Sequence, residues 1–323
     1  MSDAEVTKLR ASRSPTDDSA REVDGELDGP LVCRFVAQVR AASGRGALDH
    51  DTVVHNFGIV GPSGRPTVAA LAMLGDVPER TLNAARVAYS RHPTASDSGG
   101  ARHEGTHFEA TLGQLLDDTM ARLARDLPTI QIERDGAVVD DSDVPRTALR
   151  ELISNALVHR SFTDSQLTAS ITVDVFDEAV AITSPGGIHV GTDPATLGML
   201  GAPAGVRNLT LIRIAEQMTT PSGGRIVEQQ NMGIQAADVA CRRAGAMPAL
   251  FADLPTAFQA TLLRGALDVE TAAAALAPTG AIFCVPEPAD PCRAAGTTFA
   301  PSPPDAVDPA VGSEFARAGA GAR

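Results

Sequence analysis

Aromatic side chains are scarce: the 323-residue chain has no Trp, one Tyr and ten Phe. A core without them is filled by small aliphatic side chains, and the Ala-heavy usage points to a helix-rich interior. Positive charge is also short. Lys and Arg number 27 against 40 Asp and Glu, a formal net charge of -13, and non-specific binding to nucleic acid needs clustered cations on the phosphates. DNA stays open as a partner, but the charge does not indicate it. The four cysteines, Cys33, Cys241, Cys284 and Cys292, have neither the C-x-x-C spacing nor the His pairing of a zinc site and read as reduced thiols. No apolar run reaches the length of a bilayer, and Met1 to Lys8 carries charges where a signal peptide needs an apolar core. The expectation is a cytoplasmic chain with no membrane partner.

With 43% hydrophobic and 21% charged residues, there is material for one or two globular domains. Residues 1–30 mix Asp, Glu, Arg and Ser with few bulky apolar residues and are expected to be disordered. Residues 31–104 read as a small linker lobe. Leu31, Val32, Phe35, Val36 and Val39 have helical spacing, Asp51 opens a short second helix that Gly58 stops, and a strand falls near 85–91. Helix, helix and strand fit a winged-helix-like fragment or an ordinary α+β lobe. His92, His103 and His107 flank or occupy a polar loop and lack the fixed spacing of a metal site.

Residues 105–265 carry the main domain. Leu112, Leu115, Leu116, Thr119, Met120, Leu123 and Leu127 make an amphipathic helix ended by Pro128. A hairpin with its turn at Asp135-Gly136 follows. Beyond Gly187, the glycine-rich stretch 188–206 reads as a mobile lid, 208–218 and 233–244 as helices, and Phe258 to Leu263 as a closing strand. Residues 266–323, dominated by Ala, Pro and Gly, are expected to be largely disordered.

The chemistry concentrates between Pro145 and Gly187. In Ala148-Leu-Arg-Glu-Leu-Ile-Ser-Asn-Ala-Leu-Val-His-Arg160, the residues Leu149, Leu152, Ile153, Ala156 and Leu157 form one apolar stripe. Glu151, Asn155 and His159 step by four along another face. The alternation of 169–176, the turn Asp177-Glu178 and the return over 179–182 make a β-hairpin that runs into Ser184-Pro-Gly-Gly187. Hydrolysis of a phosphoanhydride needs a group to handle an in-line water and a cation on the phosphate oxygens. Glu151 suits the first task, and the neutral oxygen of Asn155 suits an octahedral Mg²⁺ completed by phosphates and waters. Backbone N–H groups at Gly186 and Gly187 can approach phosphate because no Cβ intervenes. An ordinary solvated helix face followed by a Pro-Gly-Gly turn has the same spacing.

The run from Glu151 to Arg160, the hairpin, Ile182 to Gly187, Arg207-Asn208 and Gly233-Ile234 together resemble the GHKL (histidine-kinase-like) ATP-binding domain. The version they resemble is that of RecG-like, Schlafen/AlbA-type predicted bacterial transcriptional regulators, here lacking the N-terminal AlbA-type module. The resemblance spans about Ile59 to Leu263. It implies an α/β (α+β) sandwich, a Bergerat-like mixed sheet with helices on one face, preceded by the small helical lobe. It implies ATP and Mg²⁺ as cofactors, Glu151 as general base and Asn155 as metal ligand. His159, Ser184, Gly186, Gly187, Asn231 and Gly233 complete the nucleotide-binding set. Two departures stand out. Ser184 replaces an Asp that in much of the superfamily accepts from the adenine amine. The second glycine signature, Glu-Asn-Arg-Gly-Ser-Gly-Ile in the family, is here Glu228-Gln-Gln-Asn-Met-Gly-Ile234. The expected function is an ATP-binding transcriptional or nucleotide-gated regulator with slow or absent hydrolysis, acting through a protein partner or homodimer. The alternative is a degenerate pseudo-ATPase acting as a protein-interaction or DNA-associated module. A histidine kinase fits poorly, because His159 lies in the ATP-site helix.

Overall fold

The computed structural model describes residues 17–44, 48–92, 104–134, 137–189, 192, 196–198, 205–227, 232–264 and 283–284. Seven helices are present among them: α1 (Gly29–Ser43), α2 (His50–Asn56), α3 (Val68–Leu74), α4 (Leu112–Asp126), α5 (Arg146–His159), α6 (Leu209–Ala215) and α7 (Gly233–Arg243). The strands are β1 (Arg86–Arg91), β2 (Glu104–Glu109), β3 (Thr129–Arg134), β4 (Ala137–Ser142), β5 (Ile171–Val175), β6 (Ala179–Pro185), β7 (Leu250–Asp253), β8 (Ala257–Leu263) and β9 (Phe283–Cys284). Local chemistry accounts for several starts. Asp28 accepts from Leu31 N at 2.8 Å ahead of α1, with Pro30 in the first turn, and Thr67 accepts from Ala70 N at 3.2 Å ahead of α3.

Seven strands form one sheet in the order β2-β1-β5-β6-β8-β7-β9, while β3 and β4 pair as a separate hairpin. The β1–β5 pair is parallel and every other pair in the sheet is antiparallel, so the sheet is mixed. Alternation selects one face. Val87, Tyr89, Ile171, Val173, Val175, Val180, Ile182, Ala260 and Leu262 are buried in one cluster with apolar residues of all seven helices. Ala179, Leu250 and Leu263 form a separate small cluster. The molecule is therefore of the α/β class, with its main core on one face of the sheet.

In α5 the expected stripe is buried: Leu149, Leu152, Ile153, Ala156 and Leu157. Ala148, Glu151, Ser154 and Val158 are buried as well, because α5 touches α4, α6, α7 and β6. On the face carrying Glu151, Glu151 itself is thus buried while Asn155 and His159 are partly exposed. Burying each large aliphatic side chain of the stripe favours the folded state by about 1.5–3 kcal/mol relative to exposure.

The beginning of the chain differs from expectation. Residues 1–16 lie outside the described residues, but Asp17 to Pro30, expected to be disordered, is placed by backbone bonds that composition does not register. Val23 N donates to Pro66 O at 2.9 Å, Val68 N to Arg21 O at 2.8 Å, Asp28 N to Leu74 O at 2.8 Å and Asp76 N to Glu26 O at 3.1 Å. Nor do residues 31–104 stand apart as a lobe. Phe35, Leu71 and Tyr89 belong to the same core cluster as Leu116 and Ile153, and β1 and β2 are strands of the main sheet. Tyr89, the single tyrosine, donates to Asp126 at 2.8 Å, and burial followed by that carboxylate pushes its pKa up. Of residues 266–323, Phe283–Cys284 pairs antiparallel with β7, and the remainder lies outside the described residues. Among the described residues no helix is long and apolar enough to cross a membrane.

Candidate functional site

Two turns of α5 and the first residue of α7 make the first half of the site. Glu151 is 5% exposed and accepts from the Arg150 guanidinium at 3.1 Å. One turn on, the Asn155 amide nitrogen is buried without a hydrogen-bond partner among the described residues. Gly233 closes this corner. A Cβ there would stand 2.9 Å from a Glu151 carboxylate oxygen and 3.0 Å from the Asn155 amide nitrogen, so only glycine lets the α7 N-terminus come this near both side chains. Ser154, on the adjacent face, donates to Ile226 O in the segment leading to α7.

The second half lies around the C-terminus of α5, which ends without the glycine cap common at helix ends. Its terminal carbonyls are taken by side chains from distant parts of the chain. Ser184 donates to Ala156 O at 3.0 Å, Asn208 to Val158 O at 2.8 Å and to Arg160 O at 2.7 Å, and Arg207 to His159 O at 3.3 Å. Arg160 itself is fully buried and donates to Ala84 O, Gln166 O and Ala169 O at 2.7, 3.1 and 2.6 Å. Burial pulls its pKa down to about 9, so it remains a cation at neutral pH. His159 faces the cavity. Burial first, then the Arg207 guanidinium and the neighbouring His189 imidazole, pushes its imidazole down to about 4, so it is neutral at physiological pH.

The glycine loop joins the halves. Gly186 has φ +103°, and a Cβ on it would sit 2.2 Å from the Ser161 Cβ. Its N–H donates to Thr256 O at 2.7 Å, and the Ile188 N–H donates to Asp253 at 2.9 Å. The Gly186 N–H, expected to be open to phosphate, is therefore engaged with the protein, as is that of Ile188, while Gly187 lines the cavity.

Glu151, Asn155, His159, Ser184, Gly187 and Gly233 converge on one cavity of about 170 Å³, walled also by Phe251 and Phe258. Those rings stack with centroids 5.8 Å apart at 20°. Gly186 supports the loop from behind, and Asn231 lies outside the described residues. Met232 is 42% exposed and does not fill the cavity. Of the lid expected over 188–206, residues 190–191, 193–195 and 199–204 lie outside the described residues, while His189, Leu197 and Gly205 line the cavity. Among the described residues there is no group of three or more His, Cys, Asp and Glu that could hold a metal ion. Sequence reasoning quoted Arg207-Asn208 without a role for either and passed over Arg150 and Asp253. A charged residue beside the candidate base and a polar pair just before a helix were the available signals.

Comparison with known proteins matches one part of this architecture. The family described as "Putative ATP-dependent DNA helicase recG C-terminal" matches residues 168–262. That range covers the β5–β6 hairpin, the glycine loop and α7, but not Glu151 or Asn155. The 168–262 region is therefore similar to an ATPase-like domain of the RecG type. Among solved structures, the DIP2311 protein from Corynebacterium diphtheriae has a similar fold, with a TM-score of 0.55 at 18% identity. The match covers 80% of this chain and 50% of that one, so the chain spans about half the length of that protein. No curated protein matches.

Proposed function

We propose that the chain binds Mg-ATP in this cavity and turns it over slowly or not at all, acting as a nucleotide-responsive regulator read by a protein partner, a second copy of the chain or DNA. The observation that carries the proposal is the convergence of six separated residues, Glu151 to Gly233, on one cavity. The hydroxyl proton of Ser184 is committed to Ala156 O, so towards the cavity its oxygen acts as an acceptor. That suits an exocyclic amine such as adenine's, with a neutral acceptor in place of a carboxylate. The Phe251–Phe258 wall offers the flat apolar surface that a base requires.

The Asn155 amide fits Mg²⁺ on one observation. Turning it by half a turn exchanges nitrogen and oxygen and puts a carbonyl oxygen where an acceptor-type partner is missing, the chemistry a hard cation takes. When bound, Mg²⁺ supplies neutralisation of the phosphate oxygens. Glu151 would orient water, but Arg150 already occupies one of its oxygens, which supports slow turnover. A pseudo-ATPase, folded but unable to bind, is the second assignment, favoured by the engagement of the Gly186 and Ile188 N–H groups.

Calorimetric titration with Mg-ATP separates the two. The expected result is saturable binding to the wild type and its loss in Asn155→Ala, with stability changed by no more than about 0.5 kcal/mol because the truncated amide nitrogen had no partner. No binding to the wild type at millimolar nucleotide removes the nucleotide assignment.

A further inference from the structure

Arg207 is 6% exposed, and its guanidinium bridges the end of α5 and the glycine loop. One of its nitrogens donates to His159 O at the end of α5 at 3.3 Å; the other donates to Gly186 O at 3.2 Å and Ile188 O at 3.3 Å. Gly187 is thus bracketed by two carbonyls fastened to a single nitrogen. Each bond is at the long end of the hydrogen-bond range. Their value lies in geometry, because a planar fork with two separate nitrogens can bridge a helix terminus and a loop at once, whereas an ammonium has one nitrogen to place. The next residue fixes the fork's base: Asn208, fully buried, holds Val158 O and Arg160 O. Asp253 and Thr256 O in turn accept the N–H groups of Ile188 and Gly186. The loop is therefore clamped, carbonyls by Arg207 and N–H groups by the β7–β8 hairpin.

We propose that Arg207 is the positioning residue of this site: by tying Gly186 O and Ile188 O to the end of α5, it sets the path of the Gly186–Ile188 loop and so the floor on which a nucleotide rests. The effect on ligand rests on the nucleotide assignment above; the effect on the loop does not. Arg207 is assigned a positioning and not a catalytic role, because it donates to the backbone carbonyls of His159, Gly186 and Ile188. The same charge sits beside His159 and helps keep that imidazole neutral, which provides a reporter of charge independent of geometry.

The test compares wild type, Arg207→Lys and Arg207→Gln by amide hydrogen exchange, by NMR titration of the His159 imidazole and by Mg-ATP calorimetry. Lys keeps the charge and loses the fork; Gln loses the charge. In Arg207→Lys the Gly186 and Ile188 amides are expected to exchange about tenfold faster or more, with β5 amides as in wild type. His159 should still titrate well below its ordinary value, and Mg-ATP affinity should fall about tenfold, by analogy with loss of a bidentate contact. In Arg207→Gln the His159 pKa should also rise. Unchanged loop amides in Arg207→Lys overturn the proposal. So does acceleration that is equal in the loop and β5, which marks a general structural role or a failure to fold. If the wild type binds no Mg-ATP, the nucleotide assignment falls, and the exchange data alone decide the role of Arg207.

Discussion

The two ends of α5 are built on opposite plans. At the Glu151 end stand the Arg150–Glu151 ion pair, an amide nitrogen with no partner among the described residues and the close approach of Gly233. At the His159 end, Ser184, Arg207 and Asn208 cross-brace the helix terminus to the sheet and the glycine loop. The contrast is that of a sparsely braced corner and a rigid mount, the division expected of a site whose ligand-facing groups are held in place by supporting structure. Substitutions of the mount's buried anchors should act first on stability, those at the corner first on binding, and Arg207, which joins the mount to the glycine loop, on the loop itself.

The largest effect is expected at Arg160. Arg160→Ala strips one buried and two part-buried carbonyls of their donor and leaves a void in place of a fully buried side chain, and should cost about 3 kcal/mol or more by urea unfolding; a cost below about 1 kcal/mol would put the mount elsewhere. Next comes Gly186→Ala, where a positive φ and the Ser161 Cβ at 2.2 Å should together cost about 2 kcal/mol, measured the same way. Gly233→Ala inverts the pattern. Helix propensity offsets part of the crowding, so stability should change by about 1 kcal/mol or less, while Mg-ATP binding should fall more than tenfold in calorimetry; a variant that binds like wild type would contradict the role given to that corner.

The smallest effect is in the pH profile. Unfolded, His159 titrates near 6.5; folded, near 4. As pH falls, the unfolded chain takes up this proton first, so the group's contribution is fully present above 6.5 and is lost between 6.5 and about 4. The slope is at most about 1.4 kcal/mol per pH unit. Urea midpoints across that range should show this slope in wild type and lack it in His159→Gln. An identical slope in the variant would place the titrating group elsewhere.

What could be read from the sequence follows the range of the interactions. The α5 stripe, the β5–β6 hairpin and the glycines are local patterns of period and φ, and they stand where the spacing puts them. Helix α3 escaped because all seven of its side chains are buried, so no polar face marks its period. Strands β2 and β7 escaped for a related reason: β7 has only four residues, and β2, though Thr106 and Phe108 alternate with exposed neighbours, carries Phe108 as its single apolar side chain. The cap on α5 escaped entirely, since Asn208 meets Val158 and Arg160 across about fifty residues. The Arg150–Glu151 pair was in plain view as neighbours, but spacing alone does not say which way two adjacent side chains turn.

Asp17 ties the molecule's timetable to its architecture. Its carboxylate accepts from Thr210 N at 2.8 Å and Thr210 Oγ1 at 2.7 Å, 193 residues along the chain, at the start of the helix that follows Arg207-Asn208. On a ribosome that contact cannot form until α6 has emerged, and in a refolding chain it closes one of the longest loops in the molecule, which contact-order arguments place among the slow steps. The mount for the glycine loop should therefore be among the last parts assembled. Pulse-labelled exchange during refolding should protect Thr210 after the β5 and β6 amides; protection of Thr210 first would reverse that order.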